Sequence, residues 1–251
     1  MEFERIADIK RLNFIIKTLQ QYLPVGAEVL DVGCGNGVIS RSLGAAGFRV
    51  KGIDISEKTI EKAKQLNTLP NVSFEVCSAE QLVATGTKYH AIICSEVLEH
   101  LNEPDKLLKT LNETIHEDGV LIVTVPNGKG PRELFVTRPV IYLSKKNNWI
   151  WKSIQKVKSL LGYKGTTVQS DADDLTHIQF FTSKTLHQLA QNNRFKISEF
   201  GKTNFIEDVF PFSFFSKRFK FLQKWDCALA EFLPYSFTGG FVTVWRKNNV
   251  L

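Results

Sequence analysis

Residues 29–37 read Val-Leu-Asp-Val-Gly-Cys-Gly-Asn-Gly, and this run constrains the fold more than any other. An apolar pair leads into Asp31, after which Gly33, Gly35 and Gly37 alternate with other residues. Glycine has no Cβ, so a strand ending in such a turn lets main chain come close to a ligand. The spacing is not the G-x-G-x-x-G of dinucleotide folds. A carboxylate at this turn disfavours a pyrophosphate and favours a ligand that carries positive charge. The plain alternative is a glycine-rich turn between strand and helix that binds nothing.

A second strand, at 50–54, also ends in an acid, Asp54, followed by Ile55. In open α/β sheets an acid in this place, about 20 residues past the glycines, receives two ribose hydroxyls. The competing role for Asp54 is N-cap of a helix at 57–66. The D-x-G-x-G-x-G run resembles the first motif of the class I S-adenosylmethionine-dependent methyltransferases, whose ligand bears a sulfonium and an ammonium. The resemblance covers residues 25–127 well and 175–247 loosely. It implies S-adenosylmethionine as cofactor, with contacts from Asp31, Gly33, Cys34, Gly35, Gly37 and Asp54, and with Ile55 against the adenine. Where the family often has Asp on the adenine amino group, this chain has Ser78. That contact therefore falls to Ser78, to Glu80, or to main chain near Ala79. Ser95, ahead of the acidic cluster described next, is a further cofactor candidate.

Strands at 29–32, 50–54, 72–77, 91–94 and 120–125 alternate with helices at 38–47, 57–66 and 103–115, behind a leading amphipathic helix at 4–22. This order predicts right-handed βαβ units and a parallel sheet covered on both faces. Thr182 caps a helix running to 193, and 196–200 and 241–245 read as strands six and seven. The fold class is α/β, a doubly wound, seven-stranded, mostly parallel Rossmann-like sheet, read as one domain over 1–251 with a helical insertion at 129–173. The resemblance implies that strand seven inserts antiparallel between five and six.

Strand four runs into Ser95-Glu96-Val97-Leu98-Glu99-His100. Glu96, Glu99 and His100, spaced by three and four, would share one face of a helical turn. Oxygen-rich sites with one imidazole suit Mg²⁺ or Mn²⁺. The alternative is an exposed helix start, where acids favour the positive end of the dipole. The E-x-x-E-H pattern is similar to that of ubiquinone-pathway O-methyltransferases and of small-RNA 3′-terminal 2′-O-methyltransferases. It implies a divalent metal on Glu96, Glu99 and His100, with His177 as fourth ligand. Without metal, His100 is the candidate general base, because its pKa lies near neutrality, with Glu96 beside it.

The run 125–131, Val-Pro-Asn-Gly-Lys-Gly-Pro, resembles certain bacterial sugar and glycan methyltransferases. No acid occurs between Glu133 and Asp171, whereas Arg138, Lys145, Lys146, Lys152, Lys156, Lys158 and Lys164 do. Ile150, Ile154, Val157 and Leu161 form one helical stripe in that stretch, as in a helix lying on an anionic membrane surface over 145–164. A second aromatic and basic run spans 210–225. Packing on the sheet and RNA binding are the other readings of these segments. The net charge of +6 and pI near 9.1 fit an anionic partner without naming it. Four scattered cysteines with no C-x-x-C pair, and acids where a signal peptide would be basic, point to a reduced, cytoplasmic protein, membrane-associated if the stripe meets lipid. The functions in view are O-methylation of a small-molecule, sugar or lipid-linked hydroxyl, 2′-O-methylation of RNA ends, and a catalytically silent cofactor-binding subunit.

Overall fold

Strands that are apolar on both faces need cover on both sides, and the chain supplies it by winding helices to either side of a single sheet. The computed structural model describes residues 3–83, 86–139, 177–207, 209 and 212–248. The 145–164 stripe and its lysines lie outside the described residues. The elements are α1 (Ile6–Tyr22), β1 (Glu28–Val32), α2 (Val38–Ala45), β2 (Arg49–Asp54), α3 (Glu57–Leu66), β3 (Val72–Val76), α4 (Ala79–Val83), β4 (Tyr89–Ser95), α5 (Pro104–Thr114) and β5 (Ile115–Pro126). After them come α6 (Ser183–Asn192), β6 (Phe195–Lys202), α7 (Phe212–Arg218), α8 (Lys220–Phe232) and β7 (Gly240–Lys247).

The seven strands lie in the order β3-β2-β1-β4-β5-β7-β6. Strands β1 to β5 pair in parallel, and β7 runs antiparallel to both β5 and β6, as expected. Successive strand residues point to opposite faces. Val29, Val50, Ile93 and Ile122 pack beneath Leu12, Ile15 and Leu19 of α1, Ile39 and Leu43 of α2, and Ile60 of α3. Leu30, Ile92, Leu121 and Trp245 pack against Leu107, Leu108 and Leu111 of α5 and Leu186 and Ala190 of α6. Each such fully buried side chain contributes on the order of 1.5–3 kcal/mol.

Local signals hold where side chains decide them. Ser56 caps α3 by accepting from Thr59 N, and Thr182 with Thr185 makes a capping box on α6. All four cysteines are free and buried, consistent with packing residues. Among the described residues no helix is long and apolar enough to cross a membrane. The topology places the sheet's switch between β1 and β4, where β2 and β3 extend one way and β5 the other. Ligands in open α/β folds bind at the carboxyl ends of strands at such a point.

Candidate functional site

The glycine run forms the floor of this edge. Gly33, Gly35 and Gly37 adopt φ of +67, +53 and +78, a region that side chains other than glycine rarely adopt. Asp54 closes the loop from the side. Its Oδ2 accepts from Gly35 N at 3.0 Å and its Oδ1 from Ser56 N at 2.9 Å. Ser56, not Asp54, is therefore the cap of α3, and the Asp54 carboxylate is held at the lip by two main-chain donors. Ile55, next to it, is 81% exposed and free to meet a flat apolar surface. Asp31 is buried below the loop, where Ser40 Oγ donates to it at 2.5 Å. Burial pushes its pKa up to about 7; the Ser40 hydrogen bond opposes the shift and the nearby Asp54 charge adds to it. At the end of β3, Ser78 N donates to Gln81 Oε1, Ala79 is buried, and Glu80 is exposed at the start of α4.

Beyond β4 the structure departs from the simple spacing argument. Glu96 takes φ +58, a left-handed conformation that costs a non-glycine residue about 1–2 kcal/mol. The chain then makes only a short 3-10 turn at Leu98–His100 in place of an α-helical one. Glu96 is engaged elsewhere. Its Oε1 meets Arg11 Nη1 at 3.1 Å and accepts from Thr124 Oγ1 at 2.9 Å. Thr124 also bonds Ser95 Oγ at 2.9 Å, so Ser95 is buried in a hydroxyl chain.

Glu99 and His100 stay together, with Glu99 Oε1 at 3.8 Å from His100 Nε2, and the His177 ring lies 5.3 Å from that of His100. One ligand atom from each of Glu99, His100 and His177 lies within 4.8 Å of the others, and Glu96 is not in this group. Glu99 is 1% exposed, and neither carboxylate oxygen receives a hydrogen bond. Burial pushes its pKa well above the usual carboxylate range; Glu96 and Glu133 add to the shift, while the nearby main chain of Glu99 itself and the Arg11 charge oppose it. His177 is held here by main chain. Ile178 N and Gln179 N both donate to the Glu99 carbonyl, at 2.8 and 2.9 Å, and Gly128 N donates to Phe181 O at 2.7 Å. A Cβ on Gly128 would fall 2.5 Å from the Phe180 carbonyl carbon, so only glycine lets the two segments meet. The turn that carries Glu99 and His100 also packs on the glycine loop, because a Cβ on Gly33 would lie 2.5 Å from Val97 Cγ2.

Two charged residues of the site escape sequence reasoning. Arg11 sits on the buried side of α1, among apolar positions that read as core. Glu133 follows β5 and is buried with Oε1 at 3.5 Å from His177 Nδ1. The available signal for Glu133 was its place just beyond the glycine and proline loop of β5, at the same sheet edge as the cluster.

Residues 4–199 match the family model described as a methyltransferase domain. The chain belongs to this methyltransferase family. Within the family it is 30% identical over 161 residues to a ubiquinone biosynthesis O-methyltransferase of Neisseria meningitidis, covering 60% of this chain and 66% of that one. It is 32% identical over 120 residues to the Xanthomonas axonopodis protein of the same name, covering 47% and 49%. This methyltransferase chain thus spans less than two thirds of the length of the curated relatives it matches. Magnesium protoporphyrin IX methyltransferase from Synechocystis, solved with bound SAH, superposes with a TM-score of 0.58 at 19% identity, over 96% of this chain and 84% of that one. The Burkholderia thailandensis 1,6-didemethyltoxoflavin-N1-methyltransferase superposes at 0.56 and 15% identity, over 95% and 79%. These likenesses establish the class I methyltransferase fold.

Proposed function

We propose that this chain is an S-adenosylmethionine-dependent O-methyltransferase acting on a hydroxyl of a small molecule, including sugar or lipid-linked acceptors. One observation carries the reading: Val97 packs on Gly33, so the glycine loop with Asp54 adjoins Glu99, His100 and His177 along one sheet edge. The names of the ubiquinone-pathway relatives support the choice of a hydroxyl.

S-adenosylmethionine, when bound, supplies a methyl group on a sulfonium, and transfer to a hydroxyl releases the neutral thioether and one proton. Gly33, Gly35 and Gly37 present main chain to the ligand's amino-acid end, Asp54 accepts from the two ribose hydroxyls, and Ile55 covers the base. Asp31 lies beneath as the charge complementary to an ammonium. Ser78, Ala79 and Glu80 line the adenine end, and Cys34 in the loop and Ser95 at the end of β4 complete the cofactor contacts. Holding donor and acceptor in line supplies much of the acceleration available to such a reaction. His100 accepts the hydroxyl proton, because imidazole is the side-chain type best suited to general-base work near neutral pH. Glu96, committed to Arg11 and Thr124, shapes the turn that sets His100 in place.

The same cluster would offer a divalent cation one buried carboxylate, with no hydrogen-bond partner on its oxygens, and two imidazoles; without Glu96 this donor set suits a transition-metal ion such as Fe²⁺ or Mn²⁺ better than the oxygen-seeking Mg²⁺. Glu99, His100 and His177 would hold the ion, with Glu133 orienting His177 in place of the Glu96 ligand that the sequence pattern implies. Such an ion would lower the pKa of an acceptor hydroxyl.

The test is label transfer from methyl-tritiated S-adenosylmethionine to fractions of cell extract and to simple vicinal diols, with and without EDTA. Ether-linked label on a small molecule is expected. Label appearing only on RNA or on amines, or no transfer at all by protein that binds the cofactor, would overturn the reading.

A further inference from the structure

Helix α8 exposes its large aromatic side chains and buries mostly small or polar ones. Its buried residues are Gln223, Asp226, Cys227 and Ala230. Phe221, Lys224, Trp225, Ala228 and Phe232 fall at i, i+3, i+4, i+7 and i+11, a single stripe, and that stripe faces out. Phe221, Trp225 and Phe232 are 66%, 55% and 88% exposed. The preceding helix continues the pattern, burying Ser213 and Ser216 while exposing Phe214 and Phe215.

Polar anchors fix this orientation. Asp226 accepts from Phe205 N, Ile206 N and Glu207 N at 2.8, 2.9 and 3.2 Å. Gln223 accepts from Ile6 N at 3.0 Å and donates to Ser216 O at 2.9 Å. Turning α8 inward would bury its aromatics only by breaking all five bonds and exposing main-chain donors, so the aromatic face is locked outward. A contiguous apolar face of this kind on a folded protein marks an interaction surface.

Charge selects the occupant. From Val209 to Trp225 the chain has no acid, and Lys217, Arg218, Lys220 and Lys224 are all exposed. Beside α8 lies an open groove of about 430 Å³ with Ile6, Ile9 and Phe14 in its lining and Lys17 and Lys224 among its cations. Among the described residues neither of those two lysines forms an ion pair. Aromatic rings with one face in hydrocarbon and cations level with phosphates are the pattern of a protein lying on a bilayer surface. We propose that the exposed face of α7 and α8, with the adjoining groove against α1, docks this protein on an anionic lipid bilayer. No residue of this surface is among those assigned to the cofactor or the acceptor, so the inference stands apart from the proposed chemistry.

The full chain is sedimented with vesicles of phosphatidylcholine alone and of phosphatidylcholine mixed with phosphatidylglycerol. Binding to the mixed vesicles, released by salt, is expected, together with a blue shift of tryptophan emission that Trp225→Phe removes. Lys220→Glu with Lys224→Glu should cut the bound fraction about tenfold or more, as should Phe221→Ser with Phe232→Ser, with S-adenosylmethionine affinity unchanged. If either pair fails to fold, the Trp225 shift and its quenching by brominated lipid decide alone. Equal binding to neutral vesicles, no binding to either, or a lipid-indifferent dimer that protects residues 212–232 from hydrogen exchange would overturn the proposal. The dimer would assign the face to a second copy of the chain.

Discussion

Glu133 Oε1 lies 3.5 Å from His177 Nδ1, a contact that joins the turn after β5 to the segment ahead of α6. A carboxylate beside a metal-ligating histidine orients its ring and raises its basicity. Glu133→Gln should weaken Mn²⁺ binding about 10–100-fold while leaving S-adenosylmethionine affinity unchanged. Calorimetric titration with each ligand checks this. Unchanged Mn²⁺ affinity would reduce Glu133 to a packing residue.

Arg11 ties α1 to the strained turn at Glu96, and it also bonds Asp8 at 3.0 Å. Arg11→Met keeps most of the volume and removes the charge. Because the Glu96 side chain is 31% exposed, solvent offsets part of the loss, and destabilisation of about 1–2 kcal/mol is expected in urea unfolding. A change below roughly 0.5 kcal/mol, the range of ordinary surface substitutions, would show that the turn holds without this pair.

Asp31 makes both stability and cofactor binding depend on pH. Its folded pKa, about 7, lies above the ordinary aspartate value, so folding favours the protonated form. The stability it lends the free protein is present at acid pH and falls as pH rises from about 4 through about 7. The ammonium of S-adenosylmethionine favours the carboxylate instead, so binding should release a proton and tighten as pH rises through that range. Titrations near pH 7 in two buffers of different ionisation enthalpy measure the proton. Asp31→Asn should abolish its release; an identical proton count in the variant would rule out Asp31 as its source.

How much of this was readable in the chain follows from what each feature depends on. The five parallel strands and the glycine loop were legible because apolar runs, Asp31, Asp54 and the glycines act through local spacing. The insertion of β7 between β5 and β6 came only from resemblance, since nothing in 241–245 names its neighbours. The cluster was half legible. Glu99, His100 and His177 converge as expected, but the left-handed turn at Glu96 breaks the helical spacing on which its inclusion rested. Arg11 and Glu133 were hidden because their roles depend on contacts between segments far apart in sequence. The run at 210–225 was recognisable as aromatic and basic, yet which side faces out depends on Asp226 and Gln223 finding partners on other segments.

The central claim is that S-adenosylmethionine binds over the glycine loop with its ribose on Asp54, whose carboxylate is already held by Gly35 N and Ser56 N. The most direct measurement is calorimetric titration of S-adenosylmethionine into the wild-type chain and into Asp54→Ala. One saturable site is expected in the wild type, weakened in the variant by about 1.5–3 kcal/mol, or roughly ten- to a hundredfold. Wild-type protein that does not bind, or a variant that binds equally well, would contradict the account.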